Sequence, residues 1–185
     1  MPDPSAIDAV IRSRRTINQF HANLPPEELI LSALDLARWA PNHKLTEPWR
    51  FYLLGAETAA QVVELNTQLL CRDKGEAKAQ AKREKWSKIP GWLVVTYQKS
   101  DDPIRDRENY AAVCCAIQNL ALSLWGKGVG MKWTTGGVTL SEEIYELLNI
   151  EHAKEEIVGL LWYGYPAEEP QSHRQPLTDV LKRLP

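Results

Sequence analysis

The chain has 185 residues, of which 44% are hydrophobic and 25% are charged, proportions that are ordinary for one globular domain spanning residues 1–185. Its 22 lysines and arginines nearly balance 24 aspartates and glutamates, which excludes a general electrostatic attraction to nucleic acid. Three cysteines cannot form a disulfide framework, and neither a secretion signal nor a membrane-length apolar run is visible, so we expect a cytoplasmic protein that binds no membrane.

Apolar periodicity and proline signals predict the elements of the first half of the chain. The run Pro25-Pro26-Glu27-Glu28 indicates a helix start, because prolines lack the N–H donors that a first turn leaves unpaired and carboxylates suit its positive end. Pro41 ends that helix near Trp39. The predicted elements are a helix over 5–15, a helix from 25 to about 39, a strand over 49–54 and a helix over 57–70.

Residues 72–88 differ in composition from the rest of the chain. They include seven basic and three acidic residues, and they contain almost no large apolar side chain before Trp86. This composition predicts either a charged, solvated helix or a mobile lid over a site, and the sequence leaves both alternatives open.

The second half alternates apolar strands with helices. Trp92–Tyr97 is apolar on both faces, which is typical of a central strand. Residues 107–125 predict a long helix that is apolar on nearly every side and is therefore expected inside the domain or in a subunit interface. The remaining elements are a strand over 131–134, a helix capped by Ser141, a strand over 156–163 and an extended tail with one helical turn near Val180. Helices before and between about four strands predict the α+β class.

Seven tryptophans are scattered along the chain rather than placed on one helix face. Core filling is one explanation, because an indole buries a large apolar area, and a flat aromatic ligand or an interface is the other. The adjacent Cys114 and Cys115 lie within the long apolar helix, which predicts structural burial rather than a reactive thiol.

The sequence contains no motif for metal binding or nucleophilic catalysis. Its four histidines are far apart, and it has neither a Gly-x-Ser-x-Gly elbow nor a Walker loop. Gly126, Gly128 and Gly130 alternate, but they follow a helix rather than a strand, which argues against a dinucleotide-binding turn. We therefore expect no metal site, and the sequence offers no nucleophile motif.

Basic and hydroxyl side chains instead occur in four segments that are distant in sequence. All four could donate hydrogen bonds, and together they suit a phosphorylated ligand with a flat polar ring, although each alone is more often structural. The segments are Arg14–Asn18, Asn42–Lys44, Thr134–Gly137 and His173–Arg174.

Four motifs in the same order resemble those of the FMN-dependent nitroreductase family. They read R-R-T-x-N-x-F at 14–20, A-P-N-H-x-x-x-E-P-W-R-F at 40–51, G-x-G-x-x-W-T-T-G at 128–136 and G-L-L-W-Y-G-Y-P at 159–166. The likeness covers about residues 7–181 and is strongest to the compact, minimal branch of NAD(P)H nitroreductases. It implies a three-layer α-β-α sandwich around a mostly antiparallel sheet, and a homodimer with FMN at the subunit interface.

The resemblance also implies which residues near the chain start bind FMN. Arg14, Arg15 and Thr16 match the segment that binds the flavin phosphate and ribityl chain. Asn18 stands near the pyrimidine edge, where many relatives carry a basic residue, so it is expected to stabilise a reduced, anionic flavin less.

Further cofactor contacts are implied in the middle and at the end of the chain. The loop after the second helix, which reaches the flavin of the other subunit in relatives, supplies Trp39, His43 and Glu47. Many relatives have Gln at the Glu47 position, and larger ones have Asn where Leu45 lies, so ring contacts and substrate choice are expected to differ. The other implied positions are Trp133, Thr134, Thr135 and Gly136 beside the isoalloxazine, Arg174 with His173 at the phosphate, and Ser123–Gly128 for the nicotinamide cofactor.

The implied reaction is a ping-pong hydride relay. NADH or NADPH reduces FMN, and the acceptor, a nitroaromatic, a quinone or a similar small molecule, then binds in the same slot. The flavin carries the chemistry, which agrees with the lack of a nucleophile motif. Two alternatives remain: a relative with another flavin reaction, such as flavin fragmentation or reductive dehalogenation, and a flavin-binding protein without turnover. A third alternative is a protein that binds no phosphate-containing ligand.

Overall fold

The computed structural model describes residues 4–185, in which helices alternate with four strands. The elements, in chain order, are α1 (Pro4–Ser13), α2 (Glu27–Ala37), β1 (Trp49–Leu54), α3 (Ala56–Lys74), α4 (Glu76–Trp86), β2 (Gly91–Gln98), α5 (Pro103–Trp125), β3 (Gly130–Thr134), α6 (Glu142–Leu148), β4 (Glu155–Gly164) and α7 (Leu177–Val180). Two 3₁₀ turns, His43–Leu45 and Gly137–Leu140, complete the set.

The four strands form one sheet in the order β1-β2-β4-β3. All three strand pairs are antiparallel, and the isolated bridge between Thr16 and Met131 is parallel. The prediction of a mostly antiparallel sheet is therefore confirmed. β2 lies between β1 and β4, as its apolar residues on both faces predicted.

Helices cover both faces of the sheet because successive strand side chains point to opposite sides. Leu93 and Val95 of β2 pack in a core with α2 and α5. Trp92 and Val94 pack in a second core with α3, α4 and α6. The molecule is thus an α+β protein with three layers, helix, sheet and helix, as predicted.

The charged segment over 72–88 is mainly helical. Gly75 has φ +83°, a conformation that favours glycine, and it separates α3 from α4. Only Ala79 and Trp86 of α4 are buried, so the helix is attached to the core by one narrow apolar edge. The charged-helix alternative is the one that the structure favours.

The tryptophans divide between the core and the surface. Trp162 is 1% exposed, and its ring centroid lies 5.2 Å from that of Trp86 and 5.8 Å from that of Trp92. Core filling explains these three. It does not explain Trp39, whose side chain is 77% exposed, or Trp133, which is 36% exposed.

The prediction that Cys114 and Cys115 are both buried is wrong. The α-helical period leaves one stripe of α5 uncovered, and Cys115 lies on it and is exposed. Cys114 is half-buried, and this burial raises the pKa of its thiol. The other exposed residues of the stripe are Ile104, Arg107, Ala111 and Gln118.

The start of α5 and the cap of α6 differ from the sequence prediction. α5 begins four residues early because Asp102 accepts a hydrogen bond from the Ile104 N–H at 3.0 Å, with Pro103 in the first turn. Ser141 precedes α6, but its hydroxyl donates to the Val138 carbonyl at 3.3 Å, so the predicted side-chain cap is absent.

Candidate functional site

The segment after α1 runs beside the edge strand β3. Thr16 pairs with Met131, and the Ile17 N–H donates to the Met131 carbonyl at 3.2 Å. A Cβ on Gly130 would lie 2.5 Å from Ile17 Cγ1, so only glycine permits this close approach. Two segments that the sequence analysis singled out, 14–18 and 133–136, are therefore neighbours in space.

Three arginines converge at the start of this segment. Arg14 is half-buried, and burial together with the positive charges of Arg174 and Arg15 lowers the pKa of its guanidinium. Within residues 4–185, no carboxylate forms an ion pair with any of the three. An uncompensated group of this kind attracts an anion.

Local hydrogen bonds hold two of these arginines. Arg15 donates to the Arg12 carbonyl at 2.7 Å and to the Arg14 carbonyl at 3.0 Å, at the end of α1. Arg174 donates to the Ser172 hydroxyl and, at 3.0 Å, to the His173 carbonyl. Arg14 differs from them. The like charges of Arg174 and Arg15 are nearby, and its guanidinium has no hydrogen-bond partner among residues 4–185.

The end of β3 offers a flat ring and an unused hydroxyl. Trp133 Nε1 donates to the Val158 carbonyl at 3.0 Å, and its indole lies so close to β4 that a Cβ on Gly159 would be 2.1 Å from Nε1. Thr134 Oγ1 is buried and has no hydrogen-bond partner within residues 4–185. Thr135 and Gly136, which follow, are exposed.

Lys132 is a residue of this site that the sequence analysis missed. Its Nζ donates to Asn18 Oδ1 at 2.7 Å and lies 4.9 Å from the centroid of the Trp162 ring. Burial, and then the charges of Lys85 and Lys82 on α4, lowers the pKa of this lysine. The sequence signal for Lys132 is that it is the one charged residue of β3. Its proximity to the lysines of α4 is visible only in the folded protein.

The loop that contains His43 and Glu47 is built separately. His43 Nδ1 lies 3.4 Å from Glu108 Oε1 of α5, and both side chains are partly exposed. Asn42 closes the loop by donating to the Ala40 carbonyl at 3.2 Å and accepting from the Glu47 N–H at 2.9 Å.

The backbone of this loop is strained. Lys44, Leu45 and Glu47 have φ values of +54°, +53° and +44°. The left-handed region costs a non-glycine residue roughly 1–2 kcal/mol. Such strain persists only where the surroundings impose it, and the two hydrogen bonds of Asn42 hold this loop in its conformation.

The structure does not bring this loop to the arginine group within one chain. Ser13, next to Arg14, accepts a hydrogen bond from Trp125 Nε1 at 2.9 Å, whereas His43 contacts Glu108. These two points on α5 are about 25 Å apart at about 1.5 Å per residue. The predicted residues therefore form two groups: 14–18, 133–136 and 174 at one end of α5, and 42–47 toward the other.

The predicted nicotinamide stretch Ser123–Gly128 lies at the same end of α5 as the arginines. Its Ser123 hydroxyl is buried without a hydrogen-bond partner in the described part of the chain. Lys127 Nζ donates to the Ser32 hydroxyl of α2 at 2.9 Å, which connects this end of α5 to α2.

The predicted site residue Asn18 lines one groove, whereas a second cavity lies away from the predicted residues. A groove of about 410 Å³ is lined by Asn18, Phe20 and Lys85, among others. A cavity of about 780 Å³ under α4, lined by Trp86 and Trp92, contains none of the predicted site residues. The charged side chains beside β3 therefore mark the candidate site, and this cavity does not. The described part of the chain has no cluster of three or more potential metal ligands and no helix long and apolar enough to cross a membrane.

The fold and these groups define a class, an α+β sandwich with a cationic ligand site at the edge of its sheet. The model of the nitroreductase family matches residues 11–165, so the chain belongs to the nitroreductase family, a family of oxidoreductases. The resemblance that the four motifs predicted is confirmed.

Individual relatives agree with this assignment. The Bacillus subtilis (strain 168) protein named "Putative NAD(P)H nitroreductase YfhC" is 33% identical over 180 residues, which cover 95% of this chain and 92% of that protein. A nitroreductase-like family protein from Bacillus cereus has a similar structure, with a TM-score of 0.85 and 28% identity over 100% of this chain and 98% of the other. The FMN-dependent nitroreductase NfnB from Mycobacterium smegmatis, solved in complex with NADPH, shares the fold at a TM-score of 0.78 and 14% identity, covering 98% and 99% of the two chains.

Proposed function

We propose that this protein is an FMN-dependent oxidoreductase that transfers a hydride from NADH or NADPH, through the flavin, to nitroaromatics, quinones or similar acceptors. The observation that carries the proposal is the convergence of Arg14, Arg15 and Arg174, without an ion-pair partner in residues 4–185, beside the start of β3, whose other end carries Trp133 and Thr134. A ligand with a phosphate and a flat polar ring satisfies both features. The family and the NADPH complex of the Mycobacterium smegmatis relative support this choice.

The residues present fit FMN. Arg14, Arg15 and Arg174 would hold the phosphate, and Thr16 with Asn18 would continue along the ribityl chain toward the ring. The buried Thr134 hydroxyl has no hydrogen-bond partner among residues 4–185, and a polar ring atom can supply one. Trp133, Thr135 and Gly136 would flank the isoalloxazine. When bound, FMN supplies the capacity to accept and release a hydride.

The protein contributes binding and orientation rather than a catalytic side chain. The charged groups beside β3 are lysines and arginines, which suit anion binding. If the nicotinamide and the acceptor share one slot over the flavin, as the resemblance implies, the nicotinamide must leave before the acceptor enters. Ping-pong kinetics follow from that order of events.

Spectroscopy of the purified chain tests the proposed function. We expect flavin absorbance bands, either at once or after addition of FMN, which bleach with NADH or NADPH under anaerobic conditions and return with a nitroaromatic or quinone. Initial rates at several acceptor concentrations should give parallel double-reciprocal lines. A colourless protein that ignores FMN would refute the cofactor, and bound flavin that NAD(P)H cannot bleach would leave a flavin-binding protein without turnover. Products from the flavin itself or from a halogenated substrate would favour the other alternative reactions.

We further propose that the functional unit is a homodimer with FMN at the interface. The contacts of Ser13 and His43 on α5 are farther apart than the length of FMN, so a flavin held by Arg14 is out of reach of His43 in the same chain. A second copy would bring its own 42–47 loop, with Trp39, to that flavin. Exposed apolar side chains suitable for such an interface are Leu31, Leu36, Trp39, Leu45 and Tyr110.

Mixing two impaired variants at an FMN concentration that saturates only the unaltered site tests the shared site. One variant carries Arg14→Gln, and the other carries Trp39→Ala with His43→Ala. If each site combines residues of both chains, a mixed dimer has one unaltered site and one doubly altered site. Random exchange makes about half of the dimers mixed, so about a quarter of all sites should be active. Activity should rise on mixing after subunit exchange. If activity stays at the level of the separate variants although mixed dimers form, each site belongs to one chain.

A further inference from the structure

We propose that Lys132, oriented by Asn18, is the cation that binds the pyrimidine edge of the flavin and stabilises the negative charge which that edge acquires on reduction. This inference rests on the proposed function. It assigns a positioning and tuning role to a residue outside the four motifs, and it reverses the expectation that the neutral Asn18 leaves the reduced flavin without a cation.

The immediate contacts of Lys132 fix the direction of its ammonium group. Nζ donates to Asn18 Oδ1 at 2.7 Å and lies 4.9 Å from the centroid of the Trp162 ring. In the described part of the chain, no carboxylate lies within ion-pair distance of Lys132. The nearby charged groups that act on it are Lys85 and Lys82 of α4. A half-buried ammonium with lysine neighbours and one amide partner has capacity for an anionic acceptor.

The position of Lys132 relative to the arginines matches the shape of FMN. Arg14 and Asn18 are the two ends of a segment that runs beside β3, and an extended chain of this length spans at most about 13 Å. The phosphate belongs at the arginine end, so the ring extends toward Asn18 and Lys132. Lys132 also follows Met131, the partner of Thr16, by one residue in β3.

The chemistry of reduction favours a cation at this edge. A hydride from the nicotinamide delivers two electrons and one proton to N5, which leaves the nicotinamide oxidised and the flavin with one additional negative charge. That charge is shared by N1 and the C2 carbonyl oxygen. An ammonium donor beside them binds the reduced flavin more tightly than the oxidised one, because hydrogen bonds to charged acceptors are the stronger ones.

A purely structural role for Lys132 makes a different prediction. Its contact with the Trp162 ring and its hydrogen bond to Asn18 would then support packing of β3, and replacement would change the stability of the fold. The ratio of the affinities for reduced and oxidised flavin would not change. The midpoint potential of the bound flavin reports this ratio directly, whereas thermal unfolding reports the packing.

The test compares Lys132→Met and Lys132→Arg with the unaltered FMN-bound protein. We expect Lys132→Met to bind oxidised FMN within about threefold of the unaltered protein but reduced FMN at least about tenfold more weakly, because one charge-assisted hydrogen bond is lost. Each tenfold difference lowers the midpoint potential by about 30 mV for a two-electron couple. Lys132→Arg should have a midpoint potential close to that of the unaltered protein, because it keeps a cationic donor. Asn18→Leu, which leaves the ammonium without its orienting partner, should give a smaller decrease.

Lys154→Met is the matched control. It removes the same charge from an exposed lysine that pairs with Glu151 before β4, and it should leave the potential unchanged. If the flavin bound to Lys132→Met has the same midpoint potential as in the unaltered protein, the role of Lys132 is overturned and the proposed function stands. If Lys132→Met does not fold, an unaltered midpoint potential in Asn18→Leu would overturn the role of Lys132 equally. Failure of the unaltered chain to bind FMN would overturn both proposals.

Discussion

Replacement of Arg14 by glutamine is expected to weaken FMN binding about 10- to 100-fold while leaving the affinity for riboflavin unchanged. A hydrogen bond to a charged group contributes about 1.5–3 kcal/mol, and each 1.4 kcal/mol corresponds to a factor of about ten. Riboflavin lacks the phosphate, so it does not use the arginine group. Fluorescence quenching on titration of the apoprotein with either flavin measures both affinities.

Arg12→Gln is the control for the loss of one positive charge. The Arg12 side chain is exposed at the end of α1, whereas Arg14 is half-buried and adjacent to Arg174 and Arg15. The control should bind FMN within about twofold of the unaltered protein, the scale expected of surface substitutions. Equal losses in the two variants would mean that only the general charge of this surface matters. Equal losses for FMN and riboflavin in Arg14→Gln would place Arg14 at the ring instead of at the phosphate.

Arg14→Gln should also leave the stability of the ligand-free protein unchanged or slightly higher. Burial and two like charges lower the pKa of this guanidinium, which means that its charged form is disfavoured in the folded state. Removing that charge relieves the unfavourable interaction. The variant therefore separates loss of ligand affinity from loss of structure, which urea unfolding of the apoprotein checks directly.

Trp162→Ala is expected to destabilise the fold by about 3–5 kcal/mol. Trp162 lies in the central strand β4, is 1% exposed and packs against Trp86 and Trp92 at ring distances of 5.2 and 5.8 Å. Its removal leaves a cavity that neighbouring strands cannot close, because the backbone on both sides is hydrogen-bonded. Since small domains have only about 5–15 kcal/mol of stability, the unfolding midpoint in urea should fall markedly.

Trp162→Phe provides the comparison for that variant. It keeps an aromatic ring in the same core and should cost clearly less than Trp162→Ala. A loss below about 1 kcal/mol for Trp162→Ala would contradict the assignment, since that is the scale of an average point substitution rather than of a cavity. Lys132 lies over the same ring, so Trp162→Ala is also expected to loosen the ammonium that we assign to the flavin.

Local sequence patterns were sufficient for most elements of the fold. Trp49–Leu54 is a strand with the predicted bounds, and the prolines at 25 and 26 precede α2 as expected. These predictions succeed because helix starts, apolar periodicity and proline stops act over a few residues. The order of the four motifs, likewise a property of the linear chain, was sufficient to identify the family.

Patterns that depend on neighbours from other segments gave less reliable predictions. Cys115 lies in an apolar run, yet it is exposed because nothing in residues 4–185 covers that side of α5. Ser141 has the residue type of a helix cap, but its hydroxyl finds the Val138 carbonyl instead. The exposure of Cys115 depends on a missing tertiary contact, and the hydrogen bond of Ser141 depends on a competing acceptor. The local sequence shows neither of them.

By itself, the sequence determined most of the secondary structure, the three-layer architecture through its family resemblance, and the segments that carry the basic and hydroxyl groups. Only the tertiary structure decided which groups meet. Arg174 joins Arg14 and Lys132 joins Asn18, whereas His43 is held toward the other end of α5. The physical reason is that helix and strand signals are local, while convergence of charges depends on strand pairing and helix packing between residues more than a hundred positions apart.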